Sequence, residues 1–342
     1  MRRINVIFLL ALALESKLQA QTPFYQGKTI TLIAGTTAGS VYDNYARFIA
    51  QHWGKHIPGN PDFIVHNMAG AGSLIAANHL YNVAKPDGLT VASIIPAIYF
   101  NQLAGRKEVR FDYAKFRWIG SIDYSDNLVY IRSDSPFKTI YDVRRAAHGP
   151  KCTATGTGTV GHYMPSLLNE TIGTKFEVIL GYQGGPEMDL AVQKNEAQCR
   201  AFSLAAWFSG EPYQTWRATG FAHVLVQTGR RRDERLPEVP TLNELMDEFK
   251  TDDMGRRLAT VVLASGELGR PYILPPGTPA DRLRLLREAF MKMARAPEFL
   301  AEAKKRNLEV KPSTGEEIEK IAQAAMAQPP QVVERMKKLM GQ

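Results

Sequence analysis

Four short runs of small and hydroxyl residues stand where an apolar stretch gives way to an amphipathic one, and each could hold an anion. In "AGTTAGSVYD", Thr36, Thr37, Ala38, Gly39 and Ser40 would offer backbone N–H groups and hydroxyls at a helix N-terminus, with Asp43 nearby. Asp43 could equally cap that helix or pair with Arg47 one turn later. In "CTATGTGTVGHY", Thr155, Gly156, Thr157, Gly158 and Thr159 precede His162. "HNMAGAGSLIAANHL" is a third such turn after Asn67, and "GYQGGPEMDLAVQ", with Tyr182, Gln183 and Gly184, is a fourth. Singly, each is a routine strand-to-helix connection. Together they would open at the carboxyl ends of parallel strands in two lobes, where α/β proteins bind ligands.

Gly156, Gly158 and Gly161 also have the G-x-G-x-x-G spacing of a dinucleotide site. The context opposes that reading. In such a fold the helix begins near the second glycine, which would put Pro165 inside it, whereas a start near Gly161 to Tyr163 suits the proline better. The fingerprint wants an acid at the end of the next strand, but Glu177 begins "KFEVILGY". No nucleotide cofactor is expected. Hydrolysis lacks its G-x-S-x-G elbow. Among the seven histidines only His52 and His56 have zinc-like spacing; they fall at the far end of the first helix and are expected on its solvated surface, so no metal is expected.

These turns need elements to position them. The runs "KTITLIAG", "DFIVHN", "LTVASII", "NLVYIRS", "KCTAT", "KFEVILGY", "AQCRAFS" and "FAHVLVQTG" alternate with amphipathic stretches, the signature of parallel α/β layers. Helical periodicity covers 42–56, 73–83, 140–147, 188–195, 279–294 and 316–326. Cys152 and Cys199 each lie near the start of a β-like run. The first strand of a βαβαβ unit commonly lies between the other two, so both sulfurs could sit at one edge. A disulfide is expected, with two buried free thiols as the other reading.

The N-terminus sets the compartment. "MRR", the apolar run Val6 to Leu14 and "LQA" ending at Ala20 read as a cleaved export signal, too short to span a bilayer. Arg2, Arg3, Lys17 and Glu15 leave with it, lowering the formal net charge from +8 to +6. A mildly basic exported chain suits anionic solutes. No basic stripe is interleaved with aromatics, which argues against nucleic acid, and "GRRRDERLP" reads as a solvated loop. The remaining length is too great for one core, so two lobes are expected.

The order and wording of the segments resemble the periplasmic receptors of tripartite tricarboxylate transporters, the Bug-type solute-binding proteins. "AGTTAGSVYDNYARFIAQ" looks like their strand, P-G-G-x-x-D turn and A-R helix, and "VHNMAGAGSLIAANHLYNVAKPDGLTV" is similar to their N-x-x-G-A-G-G to P-D-G-x-T run. "GTGTVGHYMPSLL", "GYQGGPEMDLAV", "LPEVPTLNE" and "LPPGTPADRL" follow in the family's order. "TTAGSVYD" replaces the usual proline- and glycine-rich turn, and Gln183 stands where lysine is common.

The resemblance implies an α/β protein of the two-lobed periplasmic-binding-protein type II fold, each lobe a mainly parallel sheet flanked by helices. Lobe one would comprise 21–126 plus 252–342, and lobe two 127–251, after a signal peptide at 1–20. It implies a monomer that closes on a small organic carboxylate and serves integral-membrane transporter subunits, with a membrane-bound signalling partner or, less favoured, an exported hydrolase as alternatives. Carried over by position, Thr36 to Ser40 with Asp43 would form one clamp and Thr155 to Thr159 with His162 the other. Tyr182, Gln183 and Gly184 would supply a wall, and Pro96, Ala97 and Ser203 the cleft floor.

Overall fold

A computed structural model describes residues 23–157, 159–182, 185–208, 210–229 and 231–341. The export segment and the expected site residues Gly158, Gln183 and Gly184 lie outside the described residues.

Two mixed sheets are flanked by helices. The first contains β1 (Thr29–Ala34), β2 (Asp62–Asn67), β3 (Thr90–Ser93), β4 (Arg117–Ser121), β10 (Pro271–Leu274) and β11 (Ser313–Thr314), in the order β11-β4-β10-β3-β1-β2. The second contains β5 (Asn127–Arg132), β6 (Lys151–Thr153), β7 (Glu177–Ile179), β8 (Cys199–Ser203) and β9 (Ala222–Gln227), in the order β7-β6-β8-β5-β9. Alternation along β1 covers both faces. Ile30 and Leu32 pack with Phe48, Trp53 and Phe290, while Ile33 joins Leu74, Leu80 and Tyr99 on the other side.

The strands of each sheet run mainly one way, as expected, though both sheets are mixed. β1 pairs in parallel with β2 and β3, and β6 with β7 and β8, but β10 runs antiparallel to β3 and β4, and β5 runs antiparallel to β8 and β9. The reversals have a cause. β5 and β10 are the strands that receive the chain as it crosses between lobes, so each enters its sheet at the edge where the parallel strands leave theirs.

The crossings themselves are pinned together. The Arg270 N–H donates to the Asp123 carbonyl and the Ile122 N–H to the Arg270 carbonyl, both at 3.3 Å, and the Ser121 hydroxyl donates to the Asp123 carbonyl at 2.6 Å. Arg270 and Asp123 also form an ion pair. Gly269 has φ +61, and a Cβ there would fall 1.8 Å from the Asp123 carbonyl oxygen, so only glycine fits.

Helix Asp253–Leu268 lies between the lobes, its buried Leu258, Val261, Val262 and Leu268 joining side chains of both sheets in one core. Helices Ala280–Ala294 and Gly315–Met326 pack on β4 of the first sheet. The last helix, Pro330–Leu339, does not. It packs on Asp253–Leu268 and also on Val160–Ile172 of the second lobe, with Arg335 paired to Glu170. Its apolar stripe of Val332 and Met336 finds its complement there.

His52 also departs from its expected place. It is buried between Phe48 and Phe299, with ring centroids at 4.9 and 5.3 Å, and its Nε2 lies 3.0 Å from Glu302. The helix face that carries it is covered by helix Pro297–Lys305, which the sequence pattern had left unassigned.

Candidate functional site

Strand direction brings the turns together. β1, β2 and β3 end at the crossing edge of the first sheet, and β6, β7 and β8 end at the crossing edge of the second. The described residues of the expected turns therefore follow strands that end at the crossing edges.

The first turn is held from within. Ser40 caps helix Val41–Trp53, its hydroxyl accepting the Asp43 N–H at 3.2 Å, and lies 2.6 Å from the Thr36 hydroxyl. Asp43 accepts the Gly39 N–H at 2.8 Å, Arg47 Nε at 3.0 Å and Asn67 Nδ2 at 2.8 Å. Asn67 also donates to the Thr36 carbonyl at 3.1 Å and accepts from Arg47. Burial alone would raise the Asp43 carboxyl, but the bonds from Arg47, Gly39 and Asn67 outweigh it and hold it below the usual carboxylate range. Asp43 thus pairs with Arg47 and ties down the Gly39 N–H, and its charge is spent on the turn. Thr37, Ala38 and Gly39 remain exposed, and among the described residues nothing accepts the Thr37 and Ala38 N–H groups. Ser73 braces the turn from below: its hydroxyl donates to the Gly35 carbonyl at 2.8 Å and accepts the Ile95 N–H at 3.1 Å.

The second turn follows β6. Thr159 stands at the N-cap of helix Val160–Ile172, and its hydroxyl bonds back to the Gly156 carbonyl at 2.7 Å. Thr155 and Gly156 are half-buried and Thr157 is exposed, while nothing among the described residues accepts the Gly156 and Thr157 N–H groups. The helix begins earlier than expected, which leaves Pro165 inside it. Gly161 explains the early start, because a Cβ there would lie 2.8 Å from the Thr153 carbonyl; the glycine lets the helix sit directly on the strand. Pro165 therefore does not distinguish this turn from a dinucleotide site. The placing of Glu177 at the beginning of β7 still does. His162 is half-buried, and burial lowers its pKa.

The remaining candidates divide. Tyr182 is half-buried, with burial raising its pKa, and precedes helix Gly185–Gln193. Ser203 sits opposite Asn127 at the crossing edge, its hydroxyl capping the Ala206 N–H at 3.3 Å. Pro96 is buried under helix Asp253–Leu268, its carbonyl accepting the Tyr113 hydroxyl at 3.0 Å, and Tyr99 beside it donates to Val261 of that helix at 2.5 Å. Pro96 is therefore roofed over, and Ala97 is only half-buried beside it.

Cys152 and Cys199 are register partners on β6 and β8 and are joined as a disulfide directly behind the second turn. Among the described residues no group of three His, Cys, Asp or Glu converges as a metal site, and no helix is long and apolar enough to cross a membrane. A cavity of about 420 Å³ has Tyr124, Asp126, Gly229, Arg231, Glu267 and Glu317 in its lining. Burial pushes the Asp126 carboxyl up to about 7, against the pull of Lys311 and with a further push from Glu267.

Asn67 and Ser73, which brace the first turn, escaped the sequence reading, as did Arg200, which pairs with Asp189 inside the second lobe. Asn67 had a signal, since it ends a strand beside a small-residue turn. Arg200 had a different one: a charged residue in the otherwise apolar run "CRAF" must find a buried partner.

Two sheets joined by paired crossings, with small-residue turns at the ends of the parallel strands, have the architecture of a two-lobed solute receptor. The model of the tripartite tricarboxylate transporter family receptor matches residues 46–338, and the chain belongs to that family. It is 30% identical to a UPF0065 protein of Cupriavidus necator, over 82% of this chain and 79% of that one. A TctC solute-binding protein from Polaromonas, solved without ligand, superposes with a TM-score of 0.72 at 21% identity, covering 93% and 99% of the two chains. An R. palustris protein solved with adipate gives 0.56 at 19% identity, covering 92% and 97%.

Proposed function

We propose that the chain, exported to the periplasm with loss of 1–20, captures a small organic carboxylate between the Thr36–Ser40 and Thr155–Thr159 turns. It releases the solute to the integral-membrane subunits of a tripartite tricarboxylate-type transporter. The observation that carries this reading is the pair of helix N-termini, each with N–H groups that no described residue accepts, at the crossing edges of two lobes. Charge-assisted hydrogen bonds from such groups suit a carboxylate. The adipate held by the R. palustris relative supports the same ligand class.

The chain acts as a binder and not as a catalyst, and works as a monomer. Asp43, the acid nearest the first turn, is already paired with Arg47 and hydrogen-bonded by Asn67, so it is not free to act as a base on the solute. Hinge closure would bury the solute and stabilise the closed form by mass action.

A thermal-shift screen of the mature chain with monocarboxylates, dicarboxylates, aromatic acids and acidic amino acids, followed by calorimetric titration, tests the proposal. A true ligand stabilises by about 2.7 kcal/mol at a hundredfold excess over Kd. If no acid in the screen shifted the transition, the carboxylate reading would fall.

A further inference from the structure

Two charge pairs of opposite order face each other across a gap between the lobes, and carboxylate capture by the turns uses neither. On the first lobe, Leu308 and Val310 pack on the core around β1 and β10, and the Glu309 carbonyl between them accepts the Tyr45 hydroxyl at 2.9 Å. On the second lobe, the chain from Asp233 to Val239 is fastened to β9. Buried Gln227 accepts the Asp233 N–H at 2.9 Å and donates to the Leu236 and Val239 carbonyls at 3.0 and 2.8 Å. Leu236 and Val239 in turn pack with Tyr130 and Trp207. Each stretch is thus carried by its own sheet.

The contact nearest the crossings is already within reach. Lys311 donates its backbone N–H to the Ile122 carbonyl at 3.0 Å, and its Nζ lies 2.7 Å from Glu309 and 4.0 Å from Asp233 across the gap. Asp233 also holds Arg235 through Nε and Nη2, both at 2.8 Å, and the guanidinium carbon stands 4.0 Å from the centre of the Phe208 ring. Bonds from the Arg235 side chain and backbone N–H keep the Asp233 carboxyl below the usual carboxylate range despite its burial, so it is charged at neutral pH.

The second contact is not made. Arg235 and Glu309 line opposite sides of a cavity of about 640 Å³, with Phe208 beside the first and Lys304 and Leu308 beside the second. Glu309 pairs with Lys311 and lies beyond ion-pair reach of Arg235, whose Nη1 bonds to no described residue.

We propose that Lys311, Asp233, Arg235 and Glu309 form a charged latch between the lobes. As closure narrows the gap, Glu309 meets the Arg235 guanidinium, and the four charges complete an alternating chain that favours the closed form. A contact made only in that form shifts the equilibrium by its own differential energy, about two- to fivefold for an exposed pair, and salt screens it. The inference rests on the proposed reading of a receptor that closes on its solute. It adds a device outside the solute site that sets how readily closure occurs, with or without solute.

The test compares the mature parent with Glu309→Gln, Arg235→Gln and the double variant, at about 20 mM and about 500 mM sodium chloride. Small-angle scattering of the unliganded chains and calorimetric titration with succinate, adipate, benzoate and glutamate are the two readouts. The parent should be more compact at the lower salt, and Glu309→Gln should be expanded at both. For any probe that binds, each single variant should weaken binding about two- to fivefold at the lower salt and not at the higher. The double variant should be no weaker than either single one, because both remove the same contact. Circular dichroism keeps a folding defect apart from a closure defect. If no probe bound, the carboxylate reading would fall, and the latch would stand or fall on the scattering alone. Parent and variants alike in scattering at both salts, and alike in affinity for any probe that binds, would overturn the latch and leave the solute reading intact.

Discussion

Asp43 and Asp126 are two carboxylates whose surroundings drive them in opposite directions. Asp43 is held below its ordinary range by Arg47, Gly39 and Asn67, so its contribution to stability is present above the unfolded pKa near 4 and is lost as pH falls through the lowered folded value. Asp43→Asn should therefore cost about 1.5–3 kcal/mol at neutral pH by denaturant unfolding, and the difference from the parent should shrink on acidification. Asp126 is raised to about 7 by burial, so the folded state binds its proton more tightly and stability is lost as pH rises from about 4 to 7. Asp126→Asn should remove that loss, gaining about 1–2 kcal/mol over the parent at pH 8 and little at pH 4, after allowance for partial exposure. A parallel pH dependence of parent and variant would reject the raised value. The Asp43–Arg47 pair was legible from its i,i+4 spacing. Asn67, which completes it, was not, because that contact depends on β2 lying beside β1 in register.

At the scale of elements, glycine separates clamp geometry from backbone strain. Gly39 has φ +77, so Gly39→Leu would strain the first turn whatever the space around it; Gly156 has no such φ, and a Cβ there meets nothing within 4 Å. Gly156→Leu is accordingly the cleaner probe. It should leave unfolding within about 0.5 kcal/mol of the parent while weakening carboxylate binding tenfold or more, and unchanged affinity would move the clamp elsewhere. The Cys152–Cys199 link joins residues 47 apart, and its loss in a double Cys→Ala chain should cost about 4 kcal/mol in chemical unfolding by the loop-entropy account. Adjacency of the two cysteine strands could be read from βαβαβ order alone. Antiparallel β5 and β10 could not, since direction is fixed by the crossings. β4, β10 and the helix Asp253–Leu268 also went unread, because "RWIGS" and "PYIL" are short and the helix is buried against two lobes at once, which blurs a one-sided stripe.

For the whole molecule, the crossings decide whether two lobes act as one receptor. The double crossing was legible only through the family resemblance, and the return of Pro330–Leu339 to the second lobe was not legible at all, since its stripe of Val332 and Met336 does not say which lobe it covers. Gly269 is the residue on which the crossing geometry turns. It combines φ +61 with ψ −117, and a Cβ would fall inside the Asp123 carbonyl, where no side chain can yield because the obstacle is backbone. Gly269→Ala must therefore push the second crossing away from the first, breaking the Arg270–Asp123 backbone bond and loosening the side-chain ion pair beside it. Gly105→Ala is the control: φ is +72 but nothing lies within 4 Å, so it carries local strain alone, about 1 kcal/mol. Gly269→Ala should lose about 3 kcal/mol or more in unfolding and widen the apo molecule in small-angle scattering. It should also weaken binding of any carboxylate found by the screen, because closure then starts from a wrongly set hinge. If Gly269→Ala matched Gly105→Ala in stability, scattering and affinity alike, the paired crossings would not be what sets the lobes.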